Sequence, residues 1–146
     1  MHIISVTPNE VTLVAPLFDQ YRVFYRQPSD PPLAQAFIAE RVANRESVIF
    51  LALRDGEPLG FTQLYPSFSS VSARRIWILN DLYVAPCCRG QGVGSALLER
   101  ARAHAQETGA KGLGLQTAVD NLNAQRLYEA LGYRRSEGFY SYFLAV

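Results

Sequence analysis

At 146 residues and 16.3 kDa, with 49% hydrophobic and 18% charged residues, the chain carries one domain's worth of sequence and enough apolar side chain for a packed core, which excludes a disordered polymer. Fourteen Lys plus Arg against 13 Asp plus Glu leave a net charge of +1, so no long-range field favours nucleic acid or an anionic membrane surface. The two cysteines, Cys87 and Cys88, are adjacent and cannot staple distant segments, no ligand spacing suggests a metal, and the longest apolar run, Val48 to Leu53, is far short of the roughly 20 residues of a membrane helix.

In chain order, His2 to Val6 reads as a first strand. Val11, Val14, Leu17, Phe18, Tyr21 and Phe24 recur at helical spacing, and Leu33, Phe37, Ile38 and Val42 repeat that pattern after an Asp30-Pro31-Pro32 start signal. Ser47 to Leu53 and Leu59 to Tyr65 flank an Asp55-Gly56 turn and predict an antiparallel hairpin, followed by a long strand over Arg74 to Val84. Val93, Leu97, Ala101 and Ala105 mark a third helix ending near Gly109. Lys111 to Thr117 reads as a strand, and a last helix, capped by Asp120 or Asn121, carries Ala124, Leu127, Tyr128 and Leu131 on one stripe. Phe139 to Leu144 reads as a closing strand. The resulting order, β-α-α-β-β-β-α-β-α-β, predicts a single α/β domain over residues 1–146, a mixed sheet covered by helices.

The most informative segment joins the strand ending Asp81-Leu82-Tyr83-Val84 to a helix opening on Arg89-Gly90-Gln91-Gly92-Val93-Gly94-Ser95. Glycines let the backbone pass close to a ligand, and the unpaired first-turn N–H groups and the helix dipole favour an anion such as a pyrophosphate. A dinucleotide fingerprint fails because Ser95 stands where its third glycine belongs, and a P-loop fails because no Lys follows these glycines.

Arg89-Gly90-Gln91-Gly92-Val93-Gly94 resembles the R/Q-x-x-G-x-G/A signature of the Gcn5-related N-acetyltransferase (GNAT) superfamily. Asn121-Leu122-Asn123-Ala124-Gln125-Arg126-Leu127-Tyr128-Glu129-Ala130-Leu131-Gly132-Tyr133 is similar to that superfamily's N-x-x-A-x-x-L-Y-x-x-x-G-F/Y segment. The resemblance covers Ile76 to Tyr133 most closely. It implies an acetyl-CoA-dependent N-acetyltransferase that uses no metal. Leu82, Tyr83 and Val84 would offer backbone groups to the pantetheine arm, with the Val84 amide facing the thioester oxygen. Arg89, Gly90, Gln91, Gly92, Val93, Gly94 and Ser95 would hold the pyrophosphate, and Asn121 would bond the pantetheine. Tyr128 would be the acid for the departing thiolate.

Acetyl transfer also requires that an ammonium with a pKa of about 10 lose its proton. Some relatives carry a Glu where this chain has Asn80, which cannot ionise but can hold a water. Asp81 is the adjacent carboxylate, but strict strand alternation aims it at the opposite face from Asn80 unless a bulge intervenes. Tyr21, Tyr25, Asp30, Gln63 and Tyr65 lie on elements that cover the acceptor side in similar proteins, and the chain's closest likeness is to the polyamine, thialysine and histone-type branch. The expected acceptor is therefore a small primary amine bound in a ternary complex; a non-catalytic acyl-CoA sensor is the alternative. A cytoplasmic setting and a homodimer covering the C-terminal edge strand complete the expectations, and His2 and His104 read as surface residues.

Overall fold

Asp55 and Gly56 both take left-handed φ values, 51° and 79°, between the paired residues Arg54 and Glu57, which is the two-residue turn that matches the twist of an antiparallel hairpin. The computed structural model describes residues 1–146 and resolves them into two units, Met1–Gln116 and Thr117–Val146.

The first unit holds a mixed five-stranded sheet in the order β1-β2-β3-β4-β5, with β1 at His2–Ser5, β2 at Val48–Arg54, β3 at Glu57–Ser69, β4 at Arg74–Val84 and β5 at Leu113–Gly114. The first four strands are antiparallel neighbours, and β5 joins β4 in parallel. Between β1 and β2 run α1, Val11–Phe24, and α2, Pro31–Ala43; α3, Val93–Glu107, connects β4 to β5. Helix α2 starts where its sequence says it should, because the Asp30 carboxylate accepts from the Leu33 amide at 3.2 Å and Pro31 occupies the first turn. In the same loop Asp19 accepts from Ser29 Oγ at 2.6 Å and the Asp30 amide at 2.8 Å, and these bonds, the Ser29 one foremost, hold its carboxyl below the usual range.

Strand β2 is a continuous apolar run because both of its faces are covered. Ile49, Leu51 and Leu53 join Phe61 and Tyr83 against Val11, Val14, Leu17 and Phe18 of α1 and Ala34 and Ile38 of α2. On the opposite face Phe50 and Trp77 meet α3, where His104 lies 5.5 Å and 4.8 Å from their ring centres and Trp77 Nε1 donates to Thr108 at 2.8 Å. His104 is thus a packed residue of the α3 layer, contrary to its reading as a surface residue. Burial, and after it the Arg100 cation, push its pKa below 6.5, with Glu107 opposing weakly. A depressed histidine pKa stabilises the fold fully above pH 6.5 and loses that contribution as pH falls from 6.5 through the native value, since only the unfolded chain takes up the proton. Urea midpoints measured between pH 7.5 and 5 should therefore fall with pH in the wild type and fall less steeply in His104→Gln.

Gly60 sets the spacing of β3, β4 and α3. A Cβ there would lie 2.7 Å from the Tyr83 carbonyl, 3.1 Å from Val84 Cα and 3.3 Å from a Val93 methyl. Two of these are backbone atoms, so Gly60→Ala should cost about 1–3 kcal/mol of stability, read as a lower urea midpoint.

The second unit contains α4, Leu122–Ala130, capped by Asn121, whose side-chain oxygen accepts from the Ala124 amide at 3.3 Å, and followed by Gly132 with φ 97°. Two expected strands are corrected. The segment expected from Lys111 to Thr117 pairs only at Leu113–Gly114, and Phe139 to Leu144 forms no strand. Aromatic residues suit a pleated surface but do not create one, and a strand exists only where its backbone groups find a ladder. The edge strand on which a covering second copy was expected is therefore absent.

Candidate active site

Asp81 acquires its position from a bulge. Gln63 pairs with Asp81 and Leu64 with Leu79, so Asn80 is an extra residue in β4 and the alternation of side chains slips by one. Leu79 faces α3, whereas Asp81 and Tyr83 both turn to the α1 side. The Asp81 carboxylate is 1% exposed and accepts from Gln63 Nε2 at 2.6 Å and from Asn80 Nδ2 at 2.7 Å. Burial pushes its pKa up, and the bonds from Asn80, Gln63 and Tyr21 pull the other way. Asn80 and Asp81 thus meet around one carboxylate instead of pointing apart.

Gln63 is fully buried with both ends of its amide engaged, since its oxygen accepts from Ser47 Oγ at 2.8 Å. From there it orients Asp81, and its expected contact with an acceptor gives way to that role. Three phenols surround the carboxylate. The Tyr21 hydroxyl donates to the Asn80 carbonyl at 3.2 Å and bonds the Asp81 side chain, and its ring lies 5.0 Å from that of Tyr25. Burial, then the Asp81 charge, raise the pKa of Tyr25 and push that of Tyr65 up to about 12. Tyr25 and Tyr65 therefore stay protonated and can donate to a ligand, but they are poor bases. Asp30 lies apart from this group, as the cap of α2.

One residue beyond β4, the Ala85 amide bonds the Leu59 carbonyl of β3 at 2.8 Å. Backbone alternation then turns the N–H and C=O of Leu82 and Val84 to the other edge of β4, and those of Tyr83 toward β3. That outer edge pairs with β5 only at Trp77 and Ile78, so Leu82 and Val84 lie on a stretch with no strand partner within the unit. Arg89 Nε reaches back to the Val84 carbonyl at 3.0 Å, with its guanidinium 5.5 Å from the Tyr83 ring centre.

The chain turns into α3 through Gly90 and Gly92, at φ 74° and 82°. Gly92 caps the helix without a side chain, so the amides of Val93, Gly94 and Ser95 have no intrahelical acceptor. A Cβ at Gly92 would meet no protein atom within 4 Å, which leaves the outer side of the turn open to a ligand. Val93 sends its side chain into the core, 1% exposed, and anchors the turn from below. Arg54, at the end of β2, donates to the Gln91 side chain at 2.9 Å and brings a second cation to the turn. In the second unit, Tyr128 lies on α4 with its ring centre 5.8 Å from that of Tyr133, and the Asn121 oxygen serves the α4 cap.

Sequence reasoning missed Ser47 and Arg54. Arg54 stands 37 residues from Gln91, and no local motif links them.

An open strand edge leading into a glycine-opened helix end offers backbone hydrogen bonds to an extended ligand and an anion site at the end of it. The chain belongs to the Acetyltransferase (GNAT) family, whose model matches residues 14–133. It is 51% identical over 146 residues to the "Uncharacterized N-acetyltransferase YhfO" of Bacillus subtilis (strain 168), covering 100% of this chain and 98% of that one. A solved structure described as a probable acetyltransferase superposes with a TM-score of 0.93 at 47% identity, covering 100% and 98% of the two chains. An aminoalkylphosphonate N-acetyltransferase of Salmonella typhimurium is 38% identical over 86 residues, 59% of this chain and 56% of that one. The family match and these likenesses make the chain an acetyltransferase.

Proposed function

We propose that residues 1–146 act as one N-acetyltransferase domain that moves the acetyl group of acetyl-CoA directly to a small primary amine in a ternary complex. The observation that carries this reading is the juxtaposition, in a single strand, of a buried carboxylate at Asp81 and an unpartnered edge at Leu82 and Val84 that runs into the Gly90–Gly94 turn. The free amides of Val93, Gly94 and Ser95 suit the diphosphate, with Arg89 and Gln91 at its rim. The Asn121 amide nitrogen, which the α4 cap does not use, suits the pantetheine.

The Val84 N–H, on the outer edge of β4, is a donor for the thioester oxygen as charge develops, and Arg89 fixes the following peptide through the Val84 carbonyl. The acceptor nitrogen loses its proton to Asp81 through a water held by Asn80, attacks the carbonyl carbon and forms the N–C bond as the C–S bond breaks. Tyr128 protonates the departing thiolate and is itself reprotonated by the second proton that the acylated nitrogen sheds. A carboxylate flanked by the hydroxyls of Tyr21, Tyr25 and Tyr65 favours an acceptor that arrives as a cation. The thialysine N-epsilon-acetyltransferase of Bos taurus, 38% identical over 82 residues, 53% of this chain and 48% of that one, adds support for a lysine-like amine. Two adjacent free thiols suit a reducing cytoplasm.

The test is CoA release with acetyl-CoA across polyamines, amino acids, aminoglycosides and lysine peptides. Release with at least one amine, and intersecting initial-rate lines, are expected. Binding of acetyl-CoA with no release on any amine marks a sensor instead. Tyr128→Phe should lower kcat by about 10²-fold while leaving CoA affinity within a few-fold, measured by initial rates and calorimetry.

A further inference from the structure

The loop between Val84 and Arg89 contains a feature that acetyl transfer does not use. Cys87 and Cys88 close a single 3-10 turn, Pro86–Cys88, and their Sγ atoms lie 3.3 Å apart. Consecutive residues of a helical turn do not normally face each other, so both side chains have rotated to converge. Cys87 is exposed and Cys88 is buried, and neither is bridged. The hydrogen bond between them, then burial, keep the Cys88 thiol protonated by raising its pKa.

Two converging thiols can close a disulfide or clasp one soft atom. Adjacent Cα atoms are about 3.8 Å apart, below the roughly 4.4–6.8 Å that unstrained disulfides span, so a direct S–S bond would strain this turn. A bridging atom needs no such approach. Soft electrophiles select sulfur ligands, and two sulfurs satisfy a centre that forms two covalent bonds, whereas a tetrahedral metal needs further ligands that are absent here. We propose that Cys87 and Cys88 form a dithiol site for a monosubstituted trivalent arsenical, and that its occupation deforms the turn leading to Gly92. The reaction balances without an oxidant: an arsenical oxide forms two As–S bonds, and the two thiol protons leave with its oxygen as one water.

The coupling to the turn follows from the backbone. The Cys88 amide donates to the Ala85 carbonyl at 2.8 Å, and Gln91 Nε2 donates to the Cys87 carbonyl at 3.3 Å, while the Gln91 oxygen holds Arg54. With the sulfurs already 3.3 Å apart, the disturbance comes from the added bulk of the arsenic and its organic substituent at Cys87, whose carbonyl holds the Gln91 side chain. This second half of the proposal rests on the reading of that turn as the diphosphate site.

The probe is phenylarsine oxide, titrated against the native 146-residue chain while free thiols are counted and the intact mass is measured. One arsenical per chain is expected, with both thiols lost together and restored by dithiothreitol but not by a monothiol at equal thiol concentration. Cys87→Ser and Cys88→Ala should each weaken binding about a hundred-fold, because the second bond is then intermolecular. Two arsenicals per chain, a persistent free thiol in the loaded wild type, or equal affinity in either variant overturns the dithiol site. The wild-type thiol count decides even if Cys88→Ala fails to fold. CoA affinity of the loaded chain should fall about tenfold or more; unchanged affinity overturns the coupling alone. Failure of the unloaded chain to bind CoA refutes the diphosphate reading and with it the coupling, while the thiol count still decides the dithiol site.

Discussion

Asp81→Asn should lower kcat/KM for the amine by about 10²–10⁴-fold, the range over which a positioned base contributes, and should abolish the acid limb expected of the wild type above the ordinary carboxylate value of 3.8. The direction follows from burial. Desolvation disfavours the charged carboxylate, so as pH falls the wild type protonates Asp81 earlier than an exposed aspartate would and loses its proton acceptor there. The asparagine has no such step. Its fold should survive. Both Asp81 oxygens accept from amide donors, so an asparagine there offers one donor where another donor already points. Gln63 can flip, turning its oxygen to the new amide and its nitrogen to Ser47, whose hydroxyl serves equally as acceptor. A loss of turnover with a thermal midpoint near that of the wild type is the expected pair of results. A variant that keeps its turnover and its acid limb removes Asp81 from the proton path and leaves solvent as the acceptor.

Gly92→Val should weaken CoA binding by about a hundred-fold, measured by calorimetry, with a smaller effect for Gly92→Ala. Two causes add. At φ 82° a β-branched residue is strained by about 1–3 kcal/mol, and the turn relaxes by moving the amides of Val93 to Ser95. The new side chain also projects into space that no protein atom occupies within 4 Å, where the diphosphate would approach. Because that Cβ meets no neighbour, the cost to stability comes from the positive φ and not from a clash, unlike the cost at Gly60. Unchanged CoA affinity in Gly92→Val would mean that the diphosphate binds elsewhere.

The elements that the sequence made legible are those with local causes. Asp55-Gly56 specifies its turn because both residues accept positive φ, Asp30 and the prolines start α2, and the Gly90–Gly94 turn ends a strand and opens a helix within a few residues. The acceptor side was less legible because two bulges intervene. Counting outward from the Asp55-Gly56 turn pairs Ser47 with Leu64 and puts Gln63 on the face of Phe50. The register shift between Ala52 and Leu53, which leaves Leu59 as the extra residue, moves Gln63 to the face of Ile49 and within reach of Ser47. The second shift, at Asn80, brings Asp81 to that same face.

Composition and periodicity by themselves determined a helix-covered mixed sheet, and the two glycine-bearing motifs, through their resemblance to those of the GNAT superfamily, pointed to the acetyltransferase family and to the turn proposed for the diphosphate, since each motif lies within a few neighbouring residues. Tertiary structure alone decided that Asp81, Gln63, Ser47 and Tyr21 share one buried network, that Arg54 reaches Gln91, and that the two thiols converge. It also decided that Phe139 to Leu144 forms no strand. The reason is common to all of these. Strand register and side-chain rotation depend on groups far apart in the chain, and a slip of one residue exchanges the faces of everything beyond it.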